Sequence, residues 1–323
     1  MNEGIRIMKF LKKPHLWAAA FSVLLVSFTL FVVLDTFVIS RTYAVIEEKT
    51  SQKDSGSEAD SEGAAGDSSA GAGSGSGDAV TTENTYSDDN ISITITEYRE
   101  YDTSIFVADV TLKDARYLQT AFANNAYVKN VTQTTSAIAE ANDAILAING
   151  DYYGAQNRGY VIRNGVIYRN TVSDSSQEDL VIYEDGSFEI VTEGAVTASE
   201  LLDKGAVQVL SFGPGLIKNG EVSVTSTEEV DKAKTSNPRT AIGIIDDLHH
   251  VLVVSDGRTS ASTGLYLYQL AEFMESLGAT TAYNLDGGGS STMCFNGAVI
   301  NNPTTDGRTI KERSVSDIVS IGY

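Results

Sequence analysis

The run Asn284-Leu285-Asp286-Gly287-Gly288-Gly289-Ser290-Ser291-Thr292-Met293 sets one carboxylate before three glycines and three hydroxyls. Glycine admits positive φ and lets a ligand approach bare backbone N–H groups, at an entropic cost of roughly 0.5–1 kcal/mol per residue. Three such costs beside an acid read as a binding surface. Taken alone, the triplet reads as a glycine-rich bulge or loop. A second segment, Asn149-Gly150-Asp151-Tyr152-Tyr153-Gly154, repeats the layout at the end of the apolar run 144–148. Asn-Gly-Asp is a good turn by itself. Two apolar runs with the same ending suggest instead that Asn149 and Asp151 face Asn284 and Asp286 across one cleft. Tyr152 and Tyr153 would then be placed to stack on a sugar ring, or simply to pack at a rim.

Two arginines sit in comparable places. Arg239 stands at the mouth of the apolar run 240–245, and its planar fork matches phosphate or carboxylate oxygens and stays charged at any working pH. The plainer reading is a surface ion pair. Ser255-Asp256-Gly257-Arg258 ends the run 251–254, either as a plain turn or with Arg258 paired to Asp256 or Asp286.

The elements that must carry these residues are legible in outline. Leu267, Leu270, Ala271, Met274 and Leu277 recur at helical spacing, predicting a helix over 265–277 with Thr263 as N-cap and Gly278 as its stop. A strand over 281–285 follows, and Asp286 falls beyond its carboxyl end, where ligands sit in open α/β sheets. Residues 91–96 alternate with period two, and 105–112 reads as another strand. Asn164-Gly165, Asp185-Gly186 and Asn296-Gly297 each lie between apolar runs and signal tight hairpins. Further helices are expected near 136–144 and 198–204. The expected fold class is α+β: a single domain with a mixed, largely antiparallel sheet flanked by a few helices and preceded by a transmembrane helix.

That helix is the apolar segment 16–39, long enough for a bilayer and preceded by Arg6, Lys9, Lys12 and Lys13. It predicts a short basic cytoplasmic segment at 1–15, an uncleaved membrane anchor at 16–39 and an extracytoplasmic remainder. A cleaved signal peptide is the alternative. Residues 40–85 are rich in Ser, Gly, Ala and acids and read as a flexible tether. The folded region is expected at 86–323.

The 323 residues carry a formal charge of −20. This argues against nucleic-acid partners, which need clustered Lys and Arg. Any anionic ligand must be held by locally placed arginines against the overall field. Cys294 is the only cysteine, so no intramolecular disulfide can form, and a small buried apolar role is the plainer one. Three histidines, His15, His249 and His250, argue against a histidine triad or zinc site.

Asn149-Gly-Asp-Tyr-Tyr-Gly, Arg239-Thr-Ala-Ile-Gly, Ser255-Asp-Gly-Arg and Asn284-Leu-Asp-Gly-Gly-Gly-Ser-Ser-Thr-Met, in this order, resemble the phosphodiester glycosidase family. The resemblance covers about residues 86–323, with 313–321 similar to the family's closing strand. It implies hydrolysis of a sugar–phosphodiester bond, and some bacterial members are described as exopolysaccharide biosynthesis proteins. A phosphate ester leaves as a stable anion, so such an enzyme needs positive charge at the phosphate and a carboxylate near the anomeric carbon. Arg239 is then expected at the phosphate, helped by backbone N–H groups of Gly287, Gly288, Gly289 and Ser290 and by the Ser290, Ser291 or Thr292 hydroxyls. Asp151 and Asp286 take the carboxylate roles, as nucleophile, general base or orienter, and Asn149, Asn284, Tyr152, Asp256 and Arg258 complete the substrate site. No cofactor is required by this scheme. A divalent cation held by Asp151 and Asp286 stays open. The rival readings are a tethered, non-catalytic module binding a glycan or anionic polymer, and a hydrolase using Ser290 or Ser291, which lacks a histidine partner. Paired aspartates at two strand ends favour the enzyme.

Overall fold

The alternation at 91–96 is realised in a computed structural model of the chain: Ile91, Ile93 and Ile95 are buried, while Ser92, Thr94 and Thr96 face solvent. Each isoleucine so buried contributes about 1.5–3 kcal/mol. The structure describes residues 21–30, 41–42, 79–225 and 235–323. Two units are distinguished within it. The first holds helical residues 21–30 and a two-residue antiparallel ladder of Arg41–Thr42 with Val128–Lys129. All elements below belong to the second.

The strands are β1 (Ile91–Glu100), β2 (Thr103–Leu112), β3 (Leu118–Phe122), β4 (Leu146–Asn149), β5 (Val161–Arg163), β6 (Glu178–Tyr183), β7 (Ala206–Leu210), β8 (Gly215–Lys218), β9 (Arg239–Asp246), β10 (His249–Ser255), β11 (Thr281–Asn284), β12 (Met293–Phe295) and β13 (Asp317–Ile321). Short strands at Val80–Thr81, Thr85–Ser87, Val166–Arg169, Phe188–Thr192, Glu221–Val222 and Ala298–Val299 complete the sheets. A nine-stranded sheet runs Glu221–Val222, β8, β11, β9, β10, β2, β1, Thr85–Ser87, Val80–Thr81. A five-stranded sheet runs Ala298–Val299, β12, β4, β13, β3, and another runs Val166–Arg169, β5, β7, β6, Phe188–Thr192. The ladders between these strands are antiparallel, and an isolated parallel bridge pairs Glu193 with Val196, in keeping with the largely antiparallel arrangement expected. The switch-point rule for open α/β sheets therefore does not locate the site here.

Residues from all three sheets share one core, among them Ile93, Val110, Ile148, Leu180, Leu210, Ile242, Tyr283 and Val319. The opposite face of the large sheet is covered by helix α3 (Leu267–Ser276), whose Leu267, Leu270, Ala271 and Met274 pack with Ala241, Val251 and Ala282. Helices α1 (Thr135–Ala141) and α2 (Ala198–Asp203) are shorter than expected. The start of α3 is also later than predicted. Tyr266, not Thr263, is its cap residue, and the Gln269 side chain accepts the Tyr266 N–H at 2.9 Å. The stop at Gly278 is as expected, with φ +85°. The hairpin signals at Asn164-Gly165 and Asn296-Gly297 become turns with positive φ at both residues.

The expected anchor at 16–39 and tether at 40–85 fall largely outside the described residues. Among the described residues no helix is long and apolar enough to cross a membrane. The sheet begins at Val80–Thr81, so the last residues assigned to the tether join the folded region.

Candidate active site

The site lies where the chain changes sheets. Strand β11 ends at Asn284 in the nine-stranded sheet, and β12 starts at Met293 in a five-stranded one, so residues 285–292 must cross between them. Asn149, at the end of β4, secures the crossing. Its Nδ2 donates to the Asp286 carbonyl at 2.5 Å, and its Oδ1 accepts from Thr240 Oγ1 at 2.8 Å and from the Thr292 N–H at 3.3 Å. Asn284 donates through Nδ2 to the Gly213 carbonyl at 2.8 Å. Both asparagines are buried, so they brace the loop from below.

Asp286 is the carboxylate that this crossing delivers near the surface. It meets Arg313, whose Nη2 lies 3.0 Å from Oδ2, and the Arg313 side chain is 40% exposed. Arg313 also donates through Nε to Ser290 Oγ at 2.9 Å and through Nη2 to the Gly287 carbonyl at 3.3 Å. Burial lifts the Asp286 carboxyl above its ordinary value, and Arg313, Ser290 and the Gly287 backbone pull it back.

The three glycines are largely accounted for by packing. A Cβ on Gly287 would lie 2.9 Å from the Pro238 carbonyl oxygen, and one on Gly289 would lie 2.3 Å from Thr305 Oγ1. Gly288 has φ +63°. Two of the N–H groups expected to meet a phosphate are engaged within the protein: Gly288 donates to the Pro238 carbonyl at 2.8 Å and Ser290 to the Gly287 carbonyl at 3.3 Å. Ser291 Oγ, Thr292 Oγ1 and Asn284 Oδ1 are buried and find no hydrogen-bond partner among the described residues.

Asp151 is placed differently. Its side chain is wholly buried, and Arg163 Nη2 lies 2.8 Å from Oδ2 and 2.9 Å from Asp317 Oδ2. Asp151 also accepts the Tyr153 N–H at 3.1 Å and the Ser211 N–H at 2.8 Å. Burial, together with the neighbouring Asp151 charge, raises the Asp317 carboxyl to about 7, so this pair of acids shares one buried cation. The backbone beside Asp151 does reach the crossing, since the Gly150 carbonyl accepts the Asp286 N–H at 3.2 Å. The carboxylate itself is committed to Arg163.

The arginines also sort differently from expectation. Arg239 is 4% exposed and donates through Nε to the Leu265 carbonyl at 3.0 Å. Arg258 is exposed and pairs with neither Asp256 nor Asp286. It donates to Asn237 Oδ1 from Nε and Nη2 at 3.2 and 3.1 Å, and to the Thr305 carbonyl from Nη1 at 2.8 Å. Asp256 is instead buried against Asn301 and Asn302. Arg258 has a left-handed backbone, φ +63°. Tyr152, at φ +69°, is 42% exposed and remains available to a ligand, whereas Tyr153 is buried between Phe122 and Tyr127. Cys294 is buried, and burial lifts its thiol to about 11, in keeping with a packing role. Among the described residues no cluster of three or more His, Cys, Asp or Glu side chains is grouped to hold a metal ion.

Arg313, Arg163 and Asp317 had not been picked out from sequence. A charged residue inside an apolar strand, as at Val161-Ile162-Arg163 and Asp317-Ile318-Val319, was the available signal for two of them.

The phosphodiester glycosidase family model matches residues 142–321, more than half of the chain and the stretch that holds Asn149, Asp151, Arg163, Asp286, Arg313 and Asp317. The chain belongs to the phosphodiester glycosidase family. Among curated relatives, human N-acetylglucosamine-1-phosphodiester alpha-N-acetylglucosaminidase is 31% identical over 208 residues, covering 58% of this chain and 39% of the human protein. The SPbeta prophage-derived uncharacterized protein YomE of Bacillus subtilis (strain 168) is 30% identical over 195 residues, 59% of this chain and 30% of YomE. The matches thus span well under half of either relative. In fold, the chain is similar to the zebrafish N-acetylglucosamine-1-phosphodiester alpha-N-acetylglucosaminidase catalytic domain auto-inhibited by its pro-peptide, with a TM-score of 0.57 at 22% identity over 72% of this chain and 83% of that one.

Proposed function

We propose that this phosphodiester glycosidase hydrolyses a glycosyl-1-phosphodiester, releasing a sugar from a phosphate-linked partner in cell-surface polysaccharide or a related glycoconjugate. The observation that carries the reading is Asp286, held by Arg313 and Ser290 on the loop that joins two sheets, within the family's matched region. In the reaction the bond from the anomeric carbon to the phosphate oxygen breaks, water supplies the new sugar hydroxyl, and the phosphate leaves as a monoester. Asp286 provides the carboxylate at the anomeric carbon, as nucleophile or as general base for water. Asp151 has no exposed surface, so we assign it a positioning role beneath the loop rather than contact with substrate. Tyr152 offers an exposed ring for sugar stacking. The apolar segment 16–39 anchors the chain in a membrane, and the domain works on the extracytoplasmic side at the end of the 40–85 tether.

The test is sugar release by the full-length chain in mild detergent, offered glycosyl-1-phosphodiesters beside the matching aryl glycosides. Cleavage confined to the phosphodiesters is expected, and the anomer first released, read by NMR, assigns Asp286 as nucleophile (retention) or base (inversion). Glycan binding without cleavage of either class would replace this reading with the tethered binding module.

A further inference from the structure

Three two-residue hairpin turns among the described residues hold both positions in the left-handed region and are built from Asn-Gly, at 164–165, 219–220 and 296–297. A fourth turn of the same kind joins β1 to β2 between paired Glu100 and Thr103, and it is Tyr101-Asp102, with φ +52° and +53°. Such turns favour Asn and Gly because a Cβ crowds the backbone there, and a bulky aromatic residue at positive φ is an outlier. The ring is not spent on the core either, since Tyr101 is 39% exposed. A side chain kept on unfavourable backbone and turned outward points to something it displays. Tyr152 shares both properties and belongs to the site already described.

Tyr101 has aromatic company. Tyr266, the cap residue of α3, is 47% exposed, and Tyr268 is half-buried two positions on. Burial first, then the Glu272 and Glu100 charges and the Tyr268 phenol, lift the Tyr101 phenol above its ordinary value, which places these groups together. Tyr98 closes the inner side, its ring edge-on to Phe273 of α3 at 5.5 Å. The turn is held in place: the Asp102 carbonyl accepts the Thr263 N–H at 3.1 Å, and Thr103 Oγ1 accepts the Gly264 N–H at 2.9 Å. The Thr263 carbonyl in turn accepts the Arg258 N–H at 3.3 Å, and Arg258 Nη2 lies 2.8 Å from where a Cβ on Gly288 would stand. The tyrosines are therefore continuous with the rim of the glycine loop. The charges at this turn are Glu100, Asp102 and Glu272 against Arg99, whose Nη1 donates to Ser262 Oγ at 3.3 Å.

We propose that Tyr101, Tyr266 and Tyr268 form a platform that holds a neutral glycan chain, beside the site of Asp286 and separate from it. Phenol rings offer large, rigid faces for the apolar side of a sugar ring, with few rotatable bonds to immobilise. Carboxylates accept hydrogen bonds from sugar hydroxyls, which suits Glu100 and Glu272 at the edge of the rings. The same acidic rim, on a chain of charge −20, repels a polyanion. The platform concerns retention of a polymer and needs no turnover.

The test is electrophoresis of the full-length chain, in mild detergent, through native gels containing glycol chitin, glucomannan or dextran, with alginate as the polyanion. Retardation by at least one neutral polymer and none by alginate is expected. Tyr101→Ala and the double variant Tyr266→Ala/Tyr268→Ala should each weaken it at least fivefold. Tyr323→Ala removes an exposed ring elsewhere and should stay within twofold of wild type. Tyr101→Gly separates display from packing: glycine takes φ +52° without strain, so its melting temperature should hold or rise while retardation is lost. A small glycosyl phosphodiester should be hydrolysed by Tyr101→Ala within twofold of the wild-type rate. No retardation by any neutral polymer, stronger retardation by alginate, or unchanged retardation in folded Tyr101→Ala would overturn the platform. So would a lowered melting temperature in Tyr101→Gly with retardation kept. Tyrosine-dependent retardation without cleavage of any phosphodiester leaves the platform standing and removes the hydrolase reading.

Discussion

Asp151 and Asp286 carry the same local signature, an apolar strand ending near an asparagine, a glycine and an acid, and the fold treats them in opposite ways. Asp286 lies on a crossing between two sheets, with a half-exposed arginine at its side. Asp151 also lies where the chain passes from one sheet to another, between β4 and β5, yet it is closed over completely, sharing Arg163 with Asp317. The difference teaches that the partner decides: Arg313 is itself half-exposed and leaves Asp286 within reach of solvent, whereas Arg163 is buried with Asp151. An acid that stays beneath the sheet junction acts as a structural charge, since burying it alone costs several kcal/mol and it must find a cation.

The sharpest way to break this comparison is to remove each acid in turn. Asp151→Ala should leave Arg163 facing Asp317 alone and remove two N–H acceptors, costing about 3–5 kcal/mol of stability, read as a lowered denaturation midpoint in urea. A midpoint equal to wild type would show that the triad is not structural. Asp286→Asn should do the reverse. Its sugar release should fall about 10²–10⁴-fold, while the melting temperature holds or rises, because the burial that raises this carboxyl penalises its charged form. Activity within tenfold of wild type would take Asp286 out of the chemistry.

Smaller changes sharpen the contrast. Gly150→Ala would put a Cβ 2.4 Å from the Asp317 carboxylate, so it should destabilise by about 1–3 kcal/mol. Gly165→Ala meets no atom within 4 Å, and its cost should be limited to roughly 1 kcal/mol of backbone strain at φ +75°. Equal midpoints for the two would mean that the Asp317 contact is not tight. The pH dependence of stability gives the finest test. The Asp317 carboxyl is raised in the folded state to about 7, so the folded chain holds a proton there that the unfolded chain, with an ordinary carboxylate, releases near pH 4. This group's contribution is therefore complete below about pH 4 and is lost as the pH rises to about 7. Buried His250, lowered to about 4, works with the opposite sign, its contribution being lost as the pH falls below its ordinary value near 6.5. The difference between wild type and Asp317→Asn isolates the first effect: the variant should lack the decline between about pH 4 and 7. A parallel decline in both proteins would locate the titration elsewhere.

Much of the architecture was legible because its signals are local. Period-two alternation at 91–96, positive-φ dipeptides at 164–165 and 296–297, and the helical spacing of Leu267, Leu270, Ala271 and Met274 each depend on residues within a few positions of one another. The helix start was misjudged because Thr263 is a good cap by type, while the Gln269 side chain selects Tyr266.

What the sequence by itself determined is the family, the α+β class with its hairpins, and the glycine-rich segment 284–293 with Asp286 inside it. The charge of −20 also required that any anion be met by local arginines. Which arginines, and which of two similar acids, only the tertiary structure decided. Arg313 reaches Asp286 across 27 positions, and Arg163, itself paired with Asp151, reaches Asp317 across 154. Such pairings depend on which strands become neighbours, and that depends on how three sheets bury one common core.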